Sequence, residues 1–224
     1  MEYQEASIQI LQAAVFMIDL ICAMTKEIMN MRQVTLKELK QIALDSKYSI
    51  WADAQNCGRD VKLYLHWSAG RYDTCFDDYH VNITGDGKIF VSTSDLSEVK
   101  CHTYRRNTGS VGISLCACYN GTSNDLGDYA PTDVQIEIMA RVINVLADAL
   151  DLTIDVYRVM THAEAADNYD GLYPHDPYGP SNGCERWDLA ILHNGDEWMS
   201  GGDTLRGKAN WYRNTYTDGV ENHF

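Results

Sequence analysis

The stretch Lys62–Phe90, KLYLHWSAGRYDTCFDDYHVNITGDGKIF, decides how the chain is read. Val61, Leu63 and Leu65 alternate with Lys62, Tyr64 and His66, so a strand of period two sends its apolar residues to one face and His66 to the other. Ser68-Ala69-Gly70 ends that strand. A histidine at a strand end beside small residues can be a metal ligand, a catalytic base, or a partly buried polar group with an ordinary partner. Further along, Tyr79–Ile83 alternates like a strand, Thr84-Gly85-Asp86-Gly87 reads as a tight turn, and Lys88–Val91 returns as the hairpin partner.

Downstream, Val111, Ile113, Leu115 and Ala117 alternate with Gly112, Ser114 and Cys116 in another strand, after a polar loop holding His102, Tyr104, Arg105, Arg106 and Asn107. Thr132 and Gln135 form a capping pattern for a long helix whose buried stripe is Val134, Ile138, Val142, Val145 and Ala149, ending near Leu150. A further strand, Thr153–Met160, delivers Thr161-His162-Ala163-Glu164 at its end. Strand, long helix, strand is the order of an α/β fold, a sheet covered by helices, and such sheets hold their sites where strands end. The segment 167–184, rich in Asp, Tyr, Pro and Gly, reads as a surface loop carrying Asp170, His175 and Asp176; Arg186–Leu192 then re-enters the core.

Upstream, Ile8, Leu11, Val15, Ile18, Cys22, Thr25 and Met29 follow helical spacing. A helix so apolar packs on its own domain, pairs with itself or docks on a partner. Thr35-Leu36-Lys37-Glu38 is a capping box opening a short helix to about Ser46, and Tyr48–Gly58 reads as a loop. The expected organisation is an N-terminal helical extension, residues 1–50, before one globular domain, residues 51–224.

Composition narrows the function classes. A formal net charge of −14 excludes a surface built to neutralise phosphates, so no nucleic-acid partner is expected, nor simple adhesion to anionic membranes. The seven cysteines are odd in number and lack a C-x-x-C pair, which reads as reduced thiols rather than a disulfide framework. The longest apolar run, Ala13–Met24, is broken by Asp19 and too short for a bilayer. The first ten residues carry Glu2 and Glu5 and no basic residue, so no secretory signal is read and cytoplasmic synthesis is expected.

His66 and His162 each follow an apolar strand, and Asp188 sits where the chain re-enters after a loop. Two imidazoles and a carboxylate make a three-ligand zinc site with the fourth position left for water, the arrangement of catalytic rather than structural zinc. Zinc so held lowers the pKa of water and polarises a carbonyl, which suits amide hydrolysis.

Together the ordered segments HWSAG, YHVNITGDGKIF, HTYRRNTGSVGISL, PTDVQIEIMARVINVL, THAE and ERWDLAIL, spread over about residues 60–193, resemble the zinc-dependent N-acetylmuramoyl-L-alanine amidases of the phage lysozyme and peptidoglycan-recognition-protein superfamily, amidase type 2. The resemblance implies a single mixed β-sheet flanked by helices, one Zn2+, and cleavage of the amide between muramic acid and L-alanine in peptidoglycan. His66 and His162 then match the histidine ligands and Asp188 the third, with Cys184 as its rival. Tyr79 matches a tyrosine beside the metal. Arg186 stands where many members carry lysine; it can stabilise negative charge but does not shuttle a proton. Ser114 occupies a position where other members carry glutamate, so the resemblance leaves general-base duty to zinc-bound hydroxide with Tyr79 or to Glu164, whose other reading is a residue that orients a ligand. The resemblance gives His102, Asn107 and Ser114 a substrate-binding role, and His80 reads as a buried structural histidine. It further implies a bacterial setting, as an endolysin released by a holin or as part of a phage particle. A non-catalytic peptidoglycan-binding module or a tail-associated structural protein of the same fold is the alternative.

Overall fold

Strand β2, Lys62–Trp67, is buried along its whole length, yet its two faces have different company. Leu63 and Leu65 join the main apolar core, whereas Tyr64 packs in a small separate cluster with Met160 and Ala165. His66 shares the Tyr64 side, as the period-two alternation requires. The structure is a computed structural model that describes residues 31–122, 125–171 and 187–215. The apolar run Ile8–Met29, Cys184, Arg186, His175, Asp176 and His223 lie outside the described residues.

Around β2 the chain builds a six-stranded mixed sheet in the order β1-β4-β3-β5-β2-β6. Its other strands are β1 (Arg32–Val34), β3 (Val81–Ile83), β4 (Ile89–Val91), β5 (Ser110–Leu115) and β6 (Val159–Thr161). β2 pairs in parallel with β5 and β6, and β3 in parallel with β5; β4 is antiparallel to β3 and β1. The register sets His66 opposite Ser114, which in turn lies opposite Asn82, so the three share one face.

Two long helices open with capping boxes that satisfy their first N–H groups: α1, Leu36–Asn56, from Thr35 and Glu38, and α2, Asp133–Ala149, from Thr132 and Gln135. Their buried stripes, with Leu205, Ala209 and Tyr212 of the C-terminal helix α4 (Gly201–Thr215), enter one core with Leu63, Leu65, Val111, Ile113 and Leu115. Helix α3, His162–Ala166, is a short element directly after β6. By Cα proximity the chain divides into the units Met1–Met31 and Arg32–Phe224. No helix among the described residues is long and apolar enough to cross a membrane.

Four local expectations are corrected. Of the stripe expected on α2, Val142 and Ala149 are buried, but Val134 is 51% exposed and the core face runs through Ile136, Met139, Ala140, Ile143 and Leu146. The segment Tyr48–Gly58 is not a loop, because Ile50 and Ala54 extend the buried stripe of Leu39, Ile42 and Ala43 and carry α1 through residue 50 to Asn56. The strand expected over Thr153–Met160 is reduced to Val159–Thr161. Its first half is a turn, held by the Asp155 carboxylate accepting from the N–H groups of Tyr157 (2.8 Å) and Arg158 (3.0 Å). Asp170 is not a surface residue: its side chain is fully buried and accepts two hydrogen bonds from Arg106, each 2.9 Å.

Candidate active site

The ends of two neighbouring parallel strands carry the site. Leu65 of β2 is paired with Thr161 of β6, so the next residues, His66 near the end of β2 and His162 just past β6, lie side by side. Thr161 is also the N-cap of α3. Its hydroxyl accepts from Glu164 N (3.2 Å) while Glu164 Oε2 accepts from Thr161 N (2.8 Å), which fixes His162 as the first residue of a capped turn. Asp188 arrives from a tight turn in which Leu189 takes a φ of 58° and Ala190 N donates to Trp187 O. The Asp188 carbonyl accepts from Ala163 N, tying that turn to α3.

These three elements bring three donor atoms together. His66 Nδ1 lies 3.1 Å from His162 Nδ1 and 3.1 Å from Asp188 Oδ2, and His162 Nδ1 lies 3.0 Å from the same oxygen. Two imidazole nitrogens at that separation share at most one proton. Four ligands at about 2.0–2.1 Å around a tetrahedral ion stand about 3.3 Å apart, so a metal ion fits the triangle after shifts of a few tenths of an ångström. His66, His162 and Asp188 therefore form a group that can hold a metal ion, and among the described residues it is the one His/Cys/Asp/Glu cluster of that kind. Burial alone would raise the Asp188 carboxyl, but the charge and hydrogen bond of His162, with those of His66, hold it well below the usual carboxylate range.

The groups behind the ligands complete the geometry. His66 Nε2 lies 3.3 Å from Thr103 Oγ1, so an imidazole that turns Nδ1 to a metal would carry its proton on Nε2 and donate it there. Thr103 in turn donates to His102 Nδ1 at 2.9 Å. The Asn107 side-chain oxygen accepts from the N–H groups of His102 (3.2 Å) and Thr103 (2.7 Å), locking that loop. Gly112 makes the approach of His102 feasible, since a Cβ there would stand 2.6 Å from the His102 ring. Burial, then the neighbouring histidine charges, push His102 well below its ordinary value, so it is a neutral acceptor. Tyr79 sits beside the metal position, its ring centroid 5.1 Å from that of His66.

Several expected site residues are thus relocated. His102 is 6% exposed and Ser114 fully buried, so neither lines a groove; His102 backs His66, and Ser114 lies under it in the sheet. Asn107 spends its carbonyl oxygen on the backbone of its own loop. Glu164 is not placed as a general base, because both its oxygens accept from Arg206, at 2.8 Å each. His80 is buried as expected, with Nδ1 accepting from Gly112 N and Nε2 donating to Glu98 O. Thr103 and Arg206 carry little signal in the sequence: Thr103 is marked only by following His102, and Arg206 lies on a helix that opens with Gly201-Gly202.

A mixed sheet with a His/His/Asp cluster at the ends of its parallel strands defines an α/β protein built around a candidate metal centre. The chain belongs to the N-acetylmuramoyl-L-alanine amidase family, which matches residues 45–177. The match contains His66 and His162, while Asp188 lies beyond it and is joined to them by the geometry. No curated protein and no solved structure matches the chain.

Proposed function

We propose that this protein is a zinc-dependent peptidoglycan hydrolase that cleaves the amide between the lactyl group of muramic acid and L-alanine. The observation that carries the reading is the convergence of His66, His162 and Asp188 with donor atoms 3.0–3.1 Å apart, in a chain of the amidase family. Zinc bound there supplies a Lewis acid and lowers the pKa of water at neutral pH. His66 and His162 hold it as neutral nitrogen donors and Asp188 as a carboxylate. Thr103 keeps the His66 proton on Nε2 so that Nδ1 stays free to ligate. Tyr79, whose ring centroid lies 5.1 Å from that of His66, is assigned to donate a hydrogen bond from its phenol to the oxyanion that develops on the scissile carbonyl. Arg186 is assigned to stabilise the same charge. Glu164 acts through α3 as a positioning residue, not as the base. The setting we propose is bacterial, with the enzyme acting on the wall as an endolysin or from within a phage particle.

The test measures metal content and muropeptide products for the unaltered chain, His66→Ala and Asp188→Ala. The expected result is stoichiometric zinc and release of stem peptides with a free L-alanine amino group for the first, and loss of both for each variant. Full activity in Asp188→Ala would overturn the ligand assignment and direct it to Cys184. Zinc binding without product from purified peptidoglycan would replace hydrolysis by peptidoglycan binding.

A further inference from the structure

Cys75 and Cys116 are 41 residues apart in sequence, yet their sulfurs lie 3.7 Å apart. Both are free thiols, as are Cys57, Cys101 and Cys118 among the described residues. Each of the pair is held in place independently. Cys116 follows the end of β5, where its N–H donates to Ile83 O (2.9 Å) and its carbonyl accepts from Gln135 Nε2 (3.0 Å), so its backbone is fastened to both β3 and α2. Cys75 lies in the loop between Gly70 and Tyr79. Its neighbours are pinned by Thr74 N donating to Arg71 O and by Asn82 bonding both Phe76 N and Phe76 O at 3.0 Å. Cys116 is buried and Cys75 is partly open to solvent.

We propose that Cys75 and Cys116 form a reversible disulfide site, taking small-molecule disulfides as the oxidising partner and cross-linking the loop that carries Tyr79 to the end of β5. A disulfide needs sulfurs about 2.05 Å apart, so the pair closes by less than 2 Å, within the reach of side-chain rotation and a small loop shift. The two thiols differ in the way exchange requires. The hydrogen bond from Cys116 holds the Cys75 thiol below its ordinary value, while Cys116, giving that bond and buried, is pushed well above its own. Cys75 as thiolate attacks one sulfur of the external disulfide and expels one thiolate. The Cys116 sulfur then attacks Cys75 Sγ and expels the second. The two released thiolates take up the two protons that Cys75 and Cys116 gave up, so one disulfide forms and one is reduced. Neither cysteine belongs to the His66, His162 and Asp188 group, and the site stands whether or not the amidase reading does.

The experiment incubates the reduced full-length chain with oxidised glutathione, maps peptides without reduction, and follows thermal unfolding. The expected product is a Cys75–Cys116 peptide pair lighter by two hydrogen atoms. The closed loop of about forty residues should raise Tm by about 10 °C. Dithiothreitol should reverse both changes, and Cys75→Ser and Cys116→Ala should each abolish them. Glutathione persisting on Cys75, a bond to another cysteine, or the same Tm rise in Cys75→Ser would overturn the proposal.

Discussion

Replacing Arg206 with alanine tests how His162, the second histidine of the proposed metal site, is held. Arg206 lies on α4, and its guanidinium donates to both oxygens of Glu164 at 2.8 Å each, to Val159 O at 3.0 Å and to Asp203 Oδ1 at 2.6 Å. The pair is nearly sealed from water, with side-chain exposures of 8% for Arg206 and 3% for Glu164. Gly202 is small because a Cβ there would stand 2.3 Å from Glu164 Oε1. Arg206→Ala leaves the Glu164 carboxylate buried with the Thr161 N–H as its remaining described donor. Removing one partner of such a pair costs about 3–5 kcal/mol, which in a chain of this size lowers Tm by roughly 6–20 °C. Since Glu164 caps the turn that begins with His162, zinc affinity should fall about 10- to 100-fold as well. The double variant E164Q/R206M removes both charges and keeps an amide to cap Thr161, so it should lose less than about 2 kcal/mol. Urea unfolding and competitive zinc titration of the three proteins supply the measurements. An Arg206→Ala protein within about 1 kcal/mol of the unaltered chain would refute the reasoning, as would a double variant at least as unstable as the single one.

Other predictions rest on separate features. Burial lowers the pKa of His80 to about 4 from an unfolded value near 6.5, so the unfolded chain binds the extra proton between those limits. Stability should be full above about pH 6.5 and lose about 3 kcal/mol as pH falls to about 4. His80→Gln should flatten that slope in unfolding curves, and an unchanged slope would assign it elsewhere. Thr103→Val removes the acceptor of the His66 Nε2 proton and the donor to His102 Nδ1, so zinc titration should show affinity lowered about 10- to 100-fold, and the buried groups left unpaired should lower Tm by roughly 2–12 °C. Zinc at a thousandfold excess over its Kd should add about 4 kcal/mol to the folded state, so chelation should lower Tm by about 10 °C; equal Tm with and without chelator would remove the metal from the folded protein.

How much of this was legible in the sequence follows from how far apart the cooperating residues lie. The alternation around His66, the turn before Lys88 and the Thr132–Gln135 cap are local patterns, and each stands in the structure near its expected place. The segment 48–56 looks like a loop because much of its surface is polar, yet Ile50 and Ala54 are buried and Trp51 packs on the core, donating to Leu150 O at 2.9 Å. Asp170 looked like surface because its partner Arg106 is 64 residues away. Helix α4 went unread since Gly201 and Gly202 mask the spacing of Leu205, Ala209 and Tyr212.

The same distance rule explains which parts of the site could be assigned without coordinates. A strand end announces a candidate ligand, because the chain's own periodicity states which way His66 faces and where the strand stops. What orients that ligand announces nothing. Thr103 is 37 residues from His66, and Arg206 is 42 from Glu164. Each is an ordinary polar residue whose meaning arises only when the sheet closes and burial makes its hydrogen bonds costly to lose. Glu164 shows the consequence. Read along the chain it is a carboxylate two residues from a metal ligand and so a natural base. In the fold, a cation arriving on the last helix takes both its oxygens, and the residue that looked chemical becomes the one that holds His162 in place.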